Sequence, residues 1–477
     1  MLSKEDNERL CRVGRGTPMG NLIREYWIPA LISSELREAD GAPVRARLLG
    51  ENLIAFRATS GRVGLIQNHC PHRGASLFFG RNEEEGIRCV YHGWKFDCEG
   101  ACVDMPSEPE ESTFKSKVRA RAYPCVERNG IVWTYMGPRA APPPLPDIEP
   151  NLLANGEVVI QKALRECSWF QGLEGDIDTS HLGFLHLGSV KPETVRPGTF
   201  DFYLVADRAP RYEVVDTEFG TSYGCHRPAE PDTFYWRIAH FLFPFYTMIP
   251  TGVLGMQVLV RAWVPVDDER VMFWSIGVPS TRMGRGATGG ATALQAGGQA
   301  SSAIAAGGLA GGHGFLPDTT DWLGRFRLVQ NKGNDYLIDR EAQKATSYTG
   351  IAGIHQQDQA ITESMGAIIE RTEEHLGTSD AMVIRTRRRV LDAAKALSDR
   401  GAIPPGVDDP KVYLCRSGGV ILPRDADWLE ATRELRRASG DARPADALAP
   451  AAPPIPSPPA GRERQGEGEP ATERTSS

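Results

Sequence analysis

Two short segments place a thiol and an imidazole side by side: Cys70-Pro71-His72-Arg73-Gly74 and Cys89-Val90-Tyr91-His92-Gly93-Trp94. Thiolates suit iron–sulfur chemistry, and imidazole also binds iron. Two such loops packed face to face supply what an asymmetric [2Fe–2S] cluster needs, with Cys70 and Cys89 on one iron and His72 and His92 on the other. Neutral imidazoles in place of thiolates remove negative charge and raise the potential, to between roughly −150 and +300 mV. A structural zinc site would usually pair Cys with Cys and His with His at short spacing, whereas each motif here mixes the two. Gly74 and Gly93 fit loops that wrap a cluster closely. Cys98 and Cys102 read as thiols of a hairpin around Glu99-Gly100, and Cys11, Cys125, Cys167, Cys225 and Cys415 as structural.

A second constellation runs Glu174-Gly175-Asp176-Ile177-Asp178-Thr179-Ser180-His181-Leu182-Gly183-Phe184-Leu185-His186. Non-haem Fe(II) oxygenases hold the metal with two His and one carboxylate, leaving positions open for O₂. The segment reads as helix, but residues five apart differ by about 140° around a helix. For His181 and His186 to share a metal the helix must loosen or end near Gly183. Two core histidines are the plainer alternative. The carboxylate must come from elsewhere. Ile354, Ile361, Met365 and Ile368 form the apolar stripe of a helix expected over Ile354 to Leu376. Asp358 falls on that stripe, and a buried carboxylate needs a cation or several donors. An Asp paired with a buried Arg would look the same. Glu363, Glu370, Glu373 and Glu374 fall on the outer face.

The elements that carry these residues divide in two. Residues 21–137 read as short strands and turns, with Gly130 to Gly137 a buried strand. The run Gly137-Pro138-Arg139-Ala140-Ala141-Pro142-Pro143-Pro144-Leu145-Pro146 cannot join a ladder or a helix and reads as a stiff linker. Beyond it, Phe200 to Val205 and Ile238 to Val264 look like sheet, and Ala381 to Ser398 like helix. The expected architecture is α+β: an all-β domain over 1–137 with an N-terminal helical segment, a linker over 138–150, and an α+β domain with an antiparallel sheet over 151–437. A mobile Gly/Ala-rich insertion is expected over 284–314 and a disordered tail over 438–477.

The chain has 477 residues, 24% of them charged, and a net charge of −7, which offers nothing to a nucleic-acid backbone. Ile238 to Val260 carries no charged residue but is broken by Pro244, Pro250, Gly252 and Gly255, so two buried strands are expected there and not a membrane span. The charged start has no apolar stretch of a secretory signal, and the nine cysteines show no secreted framework, so a cytoplasmic protein is expected.

Both Cys/His motifs, including Gly93-Trp94-Lys95-Phe96-Asp97, resemble the Rieske domain of ring-hydroxylating oxygenases. The second constellation, Gly16-Thr17-Pro18-Met19-Gly20, Asp207-Arg208-Ala209-Pro210 and Glu374-His375-Leu376-Gly377-Thr378-Ser379-Asp380 resemble the phthalate-dioxygenase-like branch, which includes aromatic O-demethylases. The resemblance runs from about Met1 to Ala396. It implies a catalytic domain of helix-grip type, with His181, His186 and Asp358 holding mononuclear Fe(II). It also implies that Asp178 bridges a ligand of that iron to a cluster ligand of a neighbouring subunit, in a homotrimer or multiple of three. One departure is Glu174, where some relatives carry Asn. No flavin or nicotinamide fingerprint is present, so NAD(P)H would act only through a separate reductase, with or without a ferredoxin. Arg208, Arg211 and Arg237 are candidates to hold the carboxylate of an aromatic substrate, as arginines do in phthalate-type relatives. His240 and His355 are further candidates to line a cavity, although satisfied structural histidines would read alike. Hydroxylation of an aromatic acid, O-demethylation of a methoxyaromatic, and electron transfer without oxygenase chemistry are the three functions in play. The last needs none of His181, His186 and Asp358.

Overall fold

Leu53 to Phe56 in Glu51–Arg57 and Gly64 to Ile66 in Val63–Gln67 are continuous buried runs, so both faces of each strand are covered, and the short turn between them closes a hairpin. The protein is seen here as a computed structural model that describes residues 2–154, 156–278, 309 and 313–438. Its first half holds three small antiparallel sheets. One pairs Trp27–Ile32 with Ile131–Tyr135 and Cys125–Arg128, a second is the meander Val44–Leu48, Glu51–Arg57 and Val63–Gln67. The third strings together Arg81–Glu83, Gly86–Arg88, Lys95–Asp97 and Cys102–Asp104. Cys98 and Cys102 fall in and beside the hairpin of that last pair, as expected. The proline-rich stretch after Tyr135 forms no helix or strand until Glu149.

The second half is built on one eight-stranded antiparallel sheet. Val159–Arg165 lies at one edge, followed by Val271–Gly277, Leu259–Pro265, Tyr246–Met248, Thr233–Leu242, Gly220–Pro228 and Arg211–Asp216, and Gly418–Pro423 pairs with Thr233–Leu242. The charge-free stretch from Ile238 is thus strand, turn and strand, and Pro250-Thr251-Gly252 lies between strands. The helix Ala381–Arg400 packs on the sheet at Gly220–Pro228 and Arg211–Asp216. The N-terminal helices Lys4–Cys11 and Pro18–Arg24 pack on that helix, and Arg24 reaches from the second of them to Glu51 of the meander at 3.0 Å. Leu49 and Gly50 donate backbone hydrogen bonds to Pro265 and Val266, so the two halves join through main chain as well as side chains.

Three expectations fail for identifiable reasons. Phe200–Ala206 is a helix and not a strand: Thr199 caps it by accepting from Phe202 N, and Phe200, Tyr203 and Leu204 form its buried face. The helix expected over Ile354 to Leu376 ends at Ser364, before Gly366 at φ +91°. Its apolar stripe also faces outward: Ile361 and Met365 are exposed, while Gln356, Gln357, Gln359, Ala360 and Glu363 are buried. Glu363, expected outside, accepts from Tyr336 Oη at 2.7 Å and Glu166 N at 2.9 Å. The insertion and tail expected over 284–314 and 438–477 lie outside the described residues, except Leu309, His313, Gly314 and Ala438.

Candidate metal centres and active site

The two Cys/His loops have the same backbone. Cys70 N donates to Ala75 O at 2.8 Å and Gly74 N to Cys70 O at 2.9 Å; Cys89 N donates to Trp94 O at 2.8 Å and Gly93 N to Cys89 O at 2.9 Å. Both knuckles close on a glycine in the left-handed region, Gly74 at φ +75° and Gly93 at φ +78°, where a side chain would be strained. The knuckles face each other. The rings of His72 and His92 are 4.4 Å apart, His72 stacks on Trp94 at 4.3 Å, and both thiols are buried. Burial and the adjacent Cys89 push the Cys70 thiol up to about 11, while backbone hydrogen bonds from His72 and Arg73 pull the other way. A buried thiolate pair therefore needs cations. Among the described residues, no three of these four side chains bring ligand atoms within 4.8 Å of one another, which a single tetrahedral zinc would require. A two-iron cluster spreads its ligands further, and the donor set fits it.

The second constellation is not one helix. Trp169–Ile177 ends at Asp178, which takes extended backbone (φ −93°, ψ 125°), and His181–Gly183 is a short 3₁₀ turn. The break falls five residues before Gly183, and it is Asp178 that organises it. Its Oδ1 accepts from Ser180 N at 2.6 Å and its Oδ2 from His181 N at 3.3 Å, satisfying donors the ended helix leaves free. The same carboxylate lies 3.2 Å from His181 Nδ1, and Tyr212 Oη donates to it at 3.4 Å. Arg208 braces the loop after His186 by donating to Val190 O at 3.1 Å.

His181, His186 and Asp358 each bring a ligand atom within 4.8 Å of the others. Asp358 Oδ1 is 3.1 Å from His186 Nε2 and 3.6 Å from His181 Nε2, the spacing of three ligands on one face of an iron. Both Nδ1 atoms are engaged, which leaves both Nε2 lone pairs for a metal. His181 Nδ1 meets Asp178. His186 Nδ1 lies 2.7 Å from Oε1 of Gln357, whose amide is fixed because its Nε2 donates to Ile351 O at 2.9 Å. Burial raises the Asp358 carboxyl, but the hydrogen bond to His186 and the imidazoles of His186 and His181 outweigh it and hold it well below the usual range. Burial opposes the charge on Asp178 as well; its contacts to His181 and the backbone N–H groups prevail and keep it ionised. The donor set fits a non-haem iron.

Two cavities meet at this triad. One, of about 50 Å³, is bounded by Thr179, Tyr223, Arg237 and Thr251. Arg237 is 4% exposed; its Nε donates to Thr179 Oγ1 at 2.7 Å, and it has no carboxylate partner among the described residues. The other, of about 260 Å³, is bounded by Arg165, Arg261, Phe273, His355 and Gln359. Arg261 borders both but is paired with Asp176, which also accepts from Thr247 and Trp263 and so anchors the Trp169–Ile177 helix to the sheet. Of the arginines singled out in the sequence, the fold brings only Arg237 to the triad. Arg208 serves the loop, and Arg211 is exposed and lies 3.5 Å from Asp207. His240 is buried between Ser222 and Arg416 O, whereas His355 faces the larger cavity. Sequence reasoning missed Gln357, Arg165 and Asp176. Only Arg165 left a trace, as a charge on the Gln161–Ala163–Arg165 face of a strand.

Residues 26–124 match the Rieske [2Fe-2S] domain family, and residues 134–286 and 315–445 the family described as LigXa C-terminal domain like. The chain belongs to the Rieske non-haem iron oxygenases: it is an oxygenase subunit that carries a Rieske [2Fe–2S] cluster and a mononuclear iron and uses O₂. Within that class, relatives that match along most of the chain act on aromatic compounds. It is 48% identical to the 3-chlorobenzoate-3,4-dioxygenase oxygenase subunit of Comamonas testosteroni, over 90% of this chain and 97% of that protein. It is 37% identical to the phthalate 4,5-dioxygenase oxygenase subunit of Pseudomonas putida, over 90% of this chain and 94% of that one. It is 32% identical to the 5,5'-dehydrodivanillate O-demethylase oxygenase subunit of a Sphingobium species, over 92% and 91%. The fold is that of dicamba monooxygenase, at a TM-score of 0.52 and 16% identity over 80% of this chain and 100% of that one. An electron carrier without oxygenase chemistry is thereby set aside. No helix among the described residues is long and apolar enough to cross a membrane.

Proposed function

We propose that this subunit oxidises an aromatic carboxylic acid at an iron held by His181, His186 and Asp358, with the substrate carboxylate seated on Arg237. Cys70, His72, Cys89 and His92 would hold the cluster, which would supply single electrons, and His181, His186 and Asp358 would hold the iron that supplies a site for O₂. The observation that carries the substrate class is Arg237 itself. A guanidinium buried without an anionic partner is costly, and a planar carboxylate matches its fork. Thr179, which already orients Arg237, is two residues before His181, so an acid bound there is fixed relative to the triad. Asp178 holds His181 by its Nδ1 and keeps a quarter of its surface open, so it is free to accept from a second imidazole.

That imidazole is a cluster ligand of a neighbouring subunit in a ring of three or a multiple of three. None of the residues around the cluster borders the two cavities at the triad. Each site also ends in exposed apolar side chains: Val90 and Tyr91 beside His92, and Phe184 and Tyr348 beside the loop of His181 and His186. Electrons come from a separate reductase, with or without a ferredoxin, and the setting is the cytoplasm, where the seven cysteines outside the cluster stay thiols. The test is Arg237→Gln with benzoates and with the matching neutral amides. The KM for acids rises about 10–100-fold and that for amides stays put. Equal losses on both, or none, would remove Arg237 from the carboxylate seat. Formaldehyde release from methoxybenzoates would show O-demethylation in place of ring hydroxylation.

A further inference from the structure

The larger cavity holds a second buried arginine that the reading above leaves idle. Arg165 ends the strand Val159–Arg165 and is 2% exposed. Its Nη1 donates to Gln359 Oε1 at 2.6 Å, its Nε is buried with no partner, and it forms no ion pair among the described residues. Its Cζ lies 5.7 Å from the Phe273 ring centre, with Arg261 at 5.3 Å from the same ring. Arg261 is neutralised by Asp176; Arg165 has no ion pair among the described residues, and the opposite charges acting on it are the carboxylates of Glu363 and Asp358. Nearby, His355 makes no hydrogen bond among the described residues, and burial beside Arg261 and Arg165 pushes its imidazole well below the usual value, so it stays neutral. Phe273 and Trp263 wall the same space. The geometry is tied to the metal: Gln359, which holds Arg165, directly follows Asp358 on one helix, and His355 sits one turn before it.

We propose that the Arg165 chamber, with His355 beside it, seats a second acid group of the substrate, at the end remote from Arg237, so that the preferred substrates are elongated aromatic dianions. This rests on the seating of the first carboxylate at Arg237. The elongation follows from the sheet. Four strand gaps separate the strand of Arg165 from that of Arg237, about 19 Å between their axes. Arg165 borders the larger cavity and Arg237 the smaller, and the two cavities share His181 and Asp358. Two acid groups on neighbouring ring carbons cannot span that interval; acid groups at the two ends of a two-ring skeleton come much closer to doing so. The wall of aromatic side chains suits the second ring.

The test is anaerobic calorimetric titration of the iron-loaded enzyme with biphenyl-4,4'-dicarboxylate, its monoacid biphenyl-4-carboxylate, phthalate and benzoate. The wild type binds the two-ring diacid about 10–100-fold more tightly than the monoacid, the worth of one charge-assisted contact. Phthalate gains no such advantage over benzoate. Arg165→Gln erases the diacid preference, and Arg165→Lys restores part of it. Retention of the cluster spectrum and of iron in both variants reports that they are folded. A wild type without diacid preference overturns the inference, and so does an Arg165→Gln variant that weakens diacid and monoacid equally, since the side chain would then only support the fold. If Arg237→Gln leaves monoacid binding intact, the seat at Arg237 falls first and the two-ended arrangement with it. If Arg237→Gln weakens the monoacid while the diacid shows no preference, the seat at Arg237 stands and the Arg165 chamber alone is refuted.

Discussion

The two imidazoles of the triad are oriented by different chemistry: His181 by the carboxylate of Asp178, His186 by the amide of Gln357. The amide contributes no charge, so Asp178 and Asp358 together offer two negative charges to a divalent iron. Replacing Gln357 with Leu frees the His186 ring to rotate, and Fe(II) affinity falls about 10–100-fold, measured by chelator competition, while the cluster spectrum is unchanged. Asp178 holds its imidazole from the open side and does not face the metal. Asp178→Asn therefore retains iron and cluster, yet turnover falls by about 100-fold, because Asn keeps the shape and loses the charge that couples two imidazoles. Iron content and single-turnover oxidation of the cluster, measured together, separate the cases. Iron loss would make Asp178 a ligand, and normal cluster oxidation would end its role as a bridge.

The helix Trp169–Ile177 is pinned at both of its acidic residues. Asp176 ties it to the sheet, and Glu174 lies between Arg371 at 2.8 Å and Arg387 at 2.5 Å, with Glu374 on the far side of Arg387. Burial raises the Glu174 carboxyl, but Arg371 and Arg387 outweigh it and leave it below its ordinary value of 4.5. A carboxyl depressed in the fold stabilises above its unfolded value and loses that contribution as pH falls through the folded one. Glu174→Gln, which strands the buried Arg371 and leaves Arg387 with Glu374 alone, costs about 3–5 kcal/mol at pH 7. The gap in melting temperature between variant and wild type narrows below about pH 4.5, where the unfolded carboxyl takes up its proton. Sequence showed that Glu174 departs from some relatives, but not what faces it, since Arg371 and Arg387 lie some 200 residues away. The cluster loops were legible because all their determinants are local: ligand, ligand, glycine. The triad was legible in its members and not in its backbone, because the helix ends at Asp178 through the hydrogen bonds of that side chain and Gly183 plays no part in the ending. The helix carrying Asp358 misled by its apolar stripe. Its polar face is the buried one, since each buried amide finds a partner there, such as Gln356 Nε2 on Leu309 O and Gln357 on His186. Phe200–Ala206 carried its signal openly, in the cap at Thr199 and the buried residues three and four apart, and was hidden only by its β-favouring composition.

At the scale of the whole molecule, a cluster and a triad in one chain need not serve each other. If electrons cross between neighbours at Asp178, two inactive subunits complement. Chains with Cys89→Ser, lacking the cluster, and chains with Asp358→Ala, lacking the mononuclear iron, each turn over nothing alone. Co-expressed under separate affinity tags and purified through both, mixed assemblies regain a substantial fraction of wild-type activity. Silent mixed assemblies would place both centres of a working pair in one chain.

The three side chains proposed to hold the iron do not share one degree of shelter: His186 is 4% exposed, whereas His181 and Asp358 are 23% and 29% exposed. In a lone subunit the metal therefore has a side door, and a neighbouring cluster domain would be what shuts it. Keeping the iron then becomes a matter of concentration. Dilution that parts the subunits opens the door, and a chelator strips mononuclear iron faster from dilute enzyme than from concentrated enzyme. The cluster lies on the other component of that contact and would report the same parting as a faster bleaching in air. A stripping rate independent of protein concentration would mean that the door is closed from within the chain.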